Sequence, residues 1–459
     1  MRRLLLTTVA GLAIATAALA QGSAPETPET PADAGAPASP AAAADPAGNP
    51  EPEQSGTQAR KGAEPASNME RLQGMQSTGT SMDFVTVPQT DAYAAQIREN
   101  LKAITLPDGF KIDLYAVVPD ARHIAVGPQG VVTFVGTRKQ NVWAVTDRNR
   151  DRVADEVKEF APSVEFTIPN GVCFSPDGFL FIAEQNRVLT FPAAEFFYES
   201  PDVALGEVIK KGNLVPTSEE SFNHTARVCR VGADNMLYVS LGQPYNVPPP
   251  EKSDLYAEQG IGGIIRMNRD GTGREVFALG VRNSVGMQFN PANGDLWFTD
   301  NQVDGMGDDK PPGELNRATE AGQHFGFPFF GGGSVRTTEY ESKEPPAGAR
   351  LPEVEMDAHA ADLGMDFYTG QSFPEEYRGG IFSAQHGSWN RTTPIGARIM
   401  FTSVAADGSA GDTKVFAEGW LNNNGEYLGR PVDVAQMRDG SLLVSDDLVG
   451  AIYRISYSE

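Results

Sequence analysis

The chain has 459 residues, 40% of them hydrophobic, and a formal net charge of −23. That length buries a full core, and that charge excludes a nucleic-acid binder, which needs a basic surface to displace phosphate counterions. Two cysteines and five histidines exclude a disulfide-dense scaffold, a four-cysteine metal site and a multi-histidine centre.

Residues 1–20 read as a secretory signal peptide. Arg2 and Arg3 give the positive start, an apolar run follows, and Ala18-Leu19-Ala20 is a small-x-small cleavage pattern. Export to the periplasm or the medium is the expectation. Residues 21–68 contain no Leu, Ile, Val or Phe. Such a segment cannot bury enough apolar surface to offset chain entropy, so an Ala/Pro/Glu-rich disordered linker is expected over 21–80. A helix is weakly signalled around 91–101. No later stretch approaches the roughly 18 apolar residues of a membrane span, so no integral span is expected once the signal is removed.

From about residue 105 to the end, one theme recurs. An apolar alternating run meets a tight Gly/Asp/Asn turn, and a second apolar run leaves it. The instances are HIAVGPQGVVTFVG from His123, GVCFSPDGFLFIAE from Gly171 and RVCRVGADNMLYVSLG from Arg227. Then come GMQFNPANGDLWFTD from Gly286, a looser version from Gly364, and DVAQMRDGSLLVSDD from Asp433. Each predicts a β-hairpin. Six hairpins of one kind predict an all-β fold, a six-bladed β-propeller. The turn glycines run from Gly130 to Gly440, about 62 residues per repeat, against about 40–50 for a bare blade. The surplus becomes long loops, where sites normally sit. The last strand, AIYRISYS, is placed to close the ring with GFKIDLYAV from Gly109.

The loops supply the candidate chemistry. His224, in FNHTAR, stands at a strand entrance and faces the channel mouth, where an imidazole can take a proton from a substrate hydroxyl. The plain alternative is a loop histidine bonded to backbone. Arg282 and Asn283 hold the same position in the next repeat, and Arg430 in the last. Arg138 follows the first hairpin, and HGSWNR carries Asn390 and Arg391. Arginines at equivalent blade positions converge on the axis and suit a planar polyanion; the alternative is that each braces neighbouring blades. Asp147, Asn149, Asp151 and Asp155 resemble the start of a calcium loop without its glycine and distal Glu, and read equally as a solvated polar turn. A second run, 299–316, has hard oxygens at a density, with turn glycines, that suits calcium. Cys173 and Cys229 hold equivalent positions in successive repeats. They are expected to be two buried thiols, since such positions can exceed the roughly 7 Å Cα limit of a disulfide.

Together GVRNSVGMQF, GDLWFTDN, GDDKPPGELNRATEAGQHFGFPFFGG, HGSWNR and GRPVDVA resemble the pyrroloquinoline quinone (PQQ)-dependent sugar dehydrogenases, nearest their L-sorbosone and pyranose dehydrogenase branch. The resemblance runs from about residue 105 to the C-terminus. It implies a six-bladed propeller that oxidises a sugar, sugar aldehyde or related alcohol, with PQQ and Ca²⁺ as cofactors. It implies His224 as general base, with Asn223 beside it toward the substrate. Arg282, Asn283 and Arg430 are implied as cofactor contacts; Arg138, Asn390 and Arg391 match less closely. Gln302 and Val303 align with residues whose backbone oxygens hold the ion. Electrons would pass to an external quinone or cytochrome. The chain departs from the glucose dehydrogenases at Val285 and Asn223, where that group has polar and acidic residues, so the resemblance does not carry glucose specificity over. Two other readings of the same propeller are a calcium-dependent hydrolase of lactonase type and a binding propeller without cofactor.

Overall fold

The computed structural model describes residues 72–78 and 83–458. The expected signal peptide and nearly all of the expected linker lie outside the described residues.

Six sheets follow one another along the chain. The first blade is Ile124–Val126, Thr133–Val135, Trp143–Thr146 and Glu156–Glu159. The second is Gly171–Phe174, Leu180–Glu184, Arg187–Phe191 and Ala204–Ile209. The third is Cys229–Val231, Met236–Leu241, Gly263–Asn268 and Glu275–Leu279. The fourth is Met287–Phe289, Leu296–Asp300, Gly313–Ala318 and Val354–Met356. The fifth is Asp362–Phe367, Ile381–Gln385, Arg398–Val404 and Ala410–Ala417. The sixth is Pro431–Gln436, Leu442–Asp446 and Ala451–Tyr457, completed by the N-terminal strand Phe110–Val117.

That last pairing closes the ring: Phe110 lies opposite Tyr457 and Val117 opposite Ala451. The inner strands touch one another in chain order, and the sixth touches the first. The chain is therefore a closed six-bladed β-propeller, as its hairpin count predicts. Closure leaves no inner edge open to a foreign strand. The closing strand is anchored by Phe110, whose ring meets Phe373 and Phe416 edge-on at 4.7 and 4.9 Å. Turn chemistry explains the hairpins. In Ser175–Gly178 the Gly178 N–H returns to the Ser175 carbonyl at 2.9 Å. Gly178 sits at φ +86°, where a side chain would be strained.

Two expectations are corrected. Gln76–Ser77, inside the expected linker, pairs with Leu205 and Ala204 on the outer edge of the second blade. Cys173 and Cys229 form a disulfide with Cα atoms 5.8 Å apart. They lie on the inner strands of neighbouring blades, and a propeller draws these strands together toward its axis. The helix signalled around 91–101 is Ala92–Asn100, with Asp91 capping its N-terminus by accepting the Ala94 N–H at 2.9 Å.

Candidate active site

Antiparallel blades sort their loops by end. The first-to-second and third-to-fourth turns share one end; the second-to-third loops share the other with the blade entrances. His224, Arg282, Asn283 and Arg430 stand at blade entrances. Arg138, Gln302, Val303, Asn390 and Arg391 lie in second-to-third loops. All of them, with Asn223, gather at one end.

A cavity of about 180 Å³ opens there, lined by His224, Arg282, Asn283, Gln302 and Asn390. Arg138 is exposed, yet its charge reaches His224. Asn223 is exposed at the rim, and its amide faces the Pro244 carbonyl at 3.4 Å. Arg430 donates from Nε to the His386 carbonyl at 2.9 Å and stacks over Tyr427 at 4.8 Å. Arg391 turns away, donating to the Asp308 and Ala358 carbonyls and to Asp309; it braces the 301–312 loop. Val303 is buried, with its N–H on the Gly331 carbonyl at 3.0 Å. A larger cavity of about 1000 Å³ is bounded by Gln243 and by Gly280, His324 and Phe329 from two of the motifs that carry the resemblance, and none of the candidate site residues lines it.

His224 is held in one state. Its Nδ1 lies 2.5 Å from the Gln243 carbonyl. A carbonyl only accepts, so Nδ1 carries the proton and Nε2 keeps its lone pair. Burial pushes the imidazole down to about 4, helped by the charges of Arg282, Arg227 and Arg138. His224 is therefore a neutral base at physiological pH.

Arg282 and Asn283 are fixed through their main chain. The buried Asp300 carboxylate accepts the Arg282 N–H at 2.8 Å and the Asn283 N–H at 2.7 Å. The Arg282 side chain meets the Asn246 carbonyl at 3.0 Å, the Asn301 carbonyl at 3.1 Å and Asp304 at 2.9 Å. Gln302 does not project alone. Its amide N–H₂ bridges Asp300 at 2.9 Å and Glu314 at 2.7 Å. Burial raises both carboxyls, and the Asp300 charge raises Glu314 further. At neutral pH the pair retains a proton.

Asp304, in the oxygen-rich run, joins Arg282 to Asn390, whose amide donates to it at 2.7 Å. Other residues at the site escaped the sequence reading. His359 and Asp362 line the same cavity. Asp447 takes the Arg122 guanidinium at 2.6 Å and the His386 Nε2 at 2.7 Å. One signal was available: an acidic residue ends the second strand of the second, fourth and sixth blades, at Glu184, Asp300 and Asp446. Each accepts a blade-entrance N–H, from Thr167, Arg282 or Arg430.

The calcium-loop candidate lies elsewhere. Asp147, Asn149, Asp151 and Asp155 sit in the third-to-fourth turn of the first blade, at the opposite end from His224. Their oxygens are engaged: Asp155 accepts the Arg148 N–H at 2.6 Å, and Asp147 the Arg152 N–H at 3.0 Å. Asn149 and Asp151 accept the Asp151 and Val153 N–H groups at 2.8 and 2.9 Å. It is a polar turn folded on its own amides. Among the described residues, no group of three or more His, Cys, Asp or Glu side chains is placed to hold a metal. No helix among them is long and apolar enough to cross a membrane.

The family model for glucose/sorbosone dehydrogenase matches residues 209–454. An uncharacterized protein of Borreliella burgdorferi is 31% identical over 381 residues, 80% of this chain and 93% of that one. Solved structures share the fold. A Trichoderma reesei protein of carbohydrate-active enzyme family AA12 aligns at a TM-score of 0.62 and 19% identity, covering 77% of this chain and 98% of that one. The holo form of the pyranose dehydrogenase PQQ domain from Coprinopsis cinerea aligns at 0.60 and 18%, covering 77% and 97%. The chain belongs to the glucose/sorbosone dehydrogenase family.

Proposed function

We propose that the protein is an exported PQQ-dependent dehydrogenase that oxidises a sugar, sugar aldehyde or related alcohol and passes electrons to an external acceptor. The family, and the PQQ domain among its structural neighbours, support that reading. The observation that carries it is His224: a neutral imidazole with its Nε2 lone pair free, lining a cavity with Arg282 and Asn283. Export rests on residues 1–20 alone.

The residues present fit the cofactors. Four buried oxygens at the cavity lack a hydrogen-bond donor: Asn283 Oδ1, Gln302 Oε1, Asp362 Oδ2 and Asn390 Oδ1. Hard oxygens without donors suit a divalent cation. Among the described residues, no carboxylate pairs with the guanidinium of Arg138 or Arg430, which suits them to a ligand's carboxylates. When bound, PQQ supplies a two-electron acceptor and Ca²⁺ a Lewis acid.

The chain's own part is proton handling and orientation. The substrate's hydroxyl proton goes to His224 Nε2 as its C–H hydrogen leaves with the electron pair. The Gln243 carbonyl steadies the imidazolium through Nδ1–H. Asp300 keeps Arg282 and Asn283 in register with that base. The test is reconstitution of the purified chain with PQQ and Ca²⁺, followed by dye reduction with aldoses, sugar aldehydes and alcohols. Dye reduction that needs both additions is expected. Failure to bind PQQ at micromolar concentration would overturn the reading.

A further inference from the structure

The cavity of about 1000 Å³ stands beside the candidate site and takes no part in it. Gln243 joins the two: its carbonyl holds His224 Nδ1 at 2.5 Å, and the residue lines the larger cavity. Gly280 lines the larger cavity, while Arg282 and Asn283, just beyond it in the chain, line the smaller one. The Gln243 N–H donates to the Arg282 carbonyl at 3.2 Å. The two cavities therefore share a wall made of these two segments.

The larger cavity is apolar and aromatic inside. Pro248, Tyr256, Ile261 and Phe327 are buried in its wall, and the Phe329 ring is centred 6.1 Å from that of His324. Its charged residues, Asp254, Glu320 and Arg350, are exposed. The polar side chains inside are already engaged. The Tyr256 hydroxyl donates to Glu219 at 2.7 Å, the Gln323 amide to Thr319 at 3.0 Å, and the Gln243 amide to the Tyr245 carbonyl. His324 differs. Its Nδ1 accepts the Gly326 N–H at 3.1 Å, so the proton of the neutral ring sits on Nε2. Burial pushes this imidazole down to about 4, which keeps it neutral at physiological pH. Among the described residues nothing accepts the Nε2–H.

The ligand that answers these walls is a flat, uncharged small molecule with an acceptor oxygen. A carboxylate or phosphate would find no buried cation. A sugar would leave most of its hydroxyls unpaired. The volume is that of a small-molecule site. A quinone meets each condition: its ring packs against aromatic side chains, and its carbonyl oxygens accept. We propose that this cavity binds a quinone, with His324 Nε2–H donating to one of its carbonyl oxygens, and that the quinone is the enzyme's electron acceptor. This rests on the dehydrogenase reading above and names its acceptor. The balance closes: the substrate gives up two electrons and two protons through the cofactor, and the quinone takes up both and leaves as the hydroquinone.

The test uses duroquinone. Equilibrium dialysis against the chain without cofactor is expected to show binding at micromolar concentration that added PQQ and Ca²⁺ do not displace. H324F keeps a ring and removes the donor, and its affinity is expected to fall about three- to tenfold, the worth of one hydrogen bond. A257W fills the cavity from its exposed rim on the helix Ser253–Gln259 and is expected to abolish binding. In the enzyme loaded with PQQ and Ca²⁺, KM for duroquinone is expected to rise in the same order. A257W is expected to keep wild-type turnover with ferricyanide, a small charged acceptor that has no use for the cavity. Duroquinone that PQQ displaces sits in the cofactor site and overturns the proposal, as does an affinity that neither variant changes. Binding that the variants weaken, with a KM that they leave alone, overturns the acceptor role. If the wild type fails to bind PQQ, the dehydrogenase reading falls, and dialysis of the two variants still decides whether the cavity is a quinone site.

Discussion

The Asp446 carboxylate accepts the main-chain N–H of Arg430 at 2.9 Å and does not pair with its guanidinium. Asp120 does the same for Arg138, at 2.6 Å. The acid fixes where the arginine stands without spending its charge. A protein of net charge −23 thereby keeps cationic groups available at one end. Asp446 also takes the Leu448 and Val449 N–H groups at 3.0 and 3.1 Å and the Tyr453 hydroxyl at 2.7 Å. D446A leaves all four donors without their acceptor, the buried Tyr453 hydroxyl among them. It is expected to lose about 3 kcal/mol or more of folding stability and to weaken PQQ binding. D446N, which keeps an acceptor oxygen, is expected to fall between. Denaturant unfolding and cofactor titration check both; equal PQQ affinity in D446A would sink the positioning role.

His224 is the one group whose removal should separate binding from chemistry. Its ring meets the Gln243 carbonyl and carries no load in the blade core. H224A is expected to retain PQQ and to lose turnover by about 10²- to 10⁴-fold, the usual worth of a positioned acid–base group. Stopped-flow reduction with a cyclic sugar measures the step. Turnover within a few-fold of wild type would remove His224 from the mechanism.

The disulfide is expected to matter for stability. Cys173 and Cys229 are 56 residues apart in sequence, so the bond removes a long loop from the unfolded ensemble. The chain-entropy relation gives about 4 kcal/mol for a loop of that size. The paired replacement C173A/C229A should unfold at lower denaturant by that amount, and reductant should mimic it. Identical unfolding curves with and without reductant would show the bond to be absent in solution.

The fold was legible because it repeats. Six hairpins with Gly or Asn turns are a local signal, and closure by Phe110–Val117 against Ala451–Tyr457 needed only two good strands left over. His224, Arg282 and Asn283 were legible because each stands just ahead of a repeat strand. The network behind them was not. Asp304, Asn246 and Asp362 act across loops whose paths depend on tertiary packing, and no spacing rule links residue 246 to 282 and 304. At 147–155 the sequence left a calcium loop and a polar turn equally open for a related reason. Alternating Asp and Asn also describe a turn that satisfies its own amides, as Asp147 and Asp155 do. The disulfide was missed because the spacing of neighbouring inner strands is not written in the sequence: equivalent positions were expected to exceed the Cα limit, while convergence on the axis brings them to 5.8 Å.

The pH dependence tests the electrostatics of the site most directly. An ordinary histidine titrates near 6.5; burial and then the nearby arginine charges push His224 down to about 4. A base works only when unprotonated, so activity should be held down to a lower pH than an ordinary histidine allows. Stability has the same sign. The unfolded chain takes up the proton near 6.5 and the folded one near 4, so this residue's contribution to stability is lost as pH falls across that window. In the chain without cofactor, burial pushes His123, His324 and His386 down as well, so NMR of the histidine ring protons should find several rings titrating below 6.5, one of them near 4 and absent in H224A. Adding an anionic cofactor offsets the Arg138 and Arg282 charges and should move that midpoint upward. The acid limb of kcat/KM for the loaded enzyme then falls between about 4 and 6.5. A limb at 6.5 or higher, together with an unshifted midpoint without cofactor, would mean that Nε2 faces water and that the cavity does not desolvate its base.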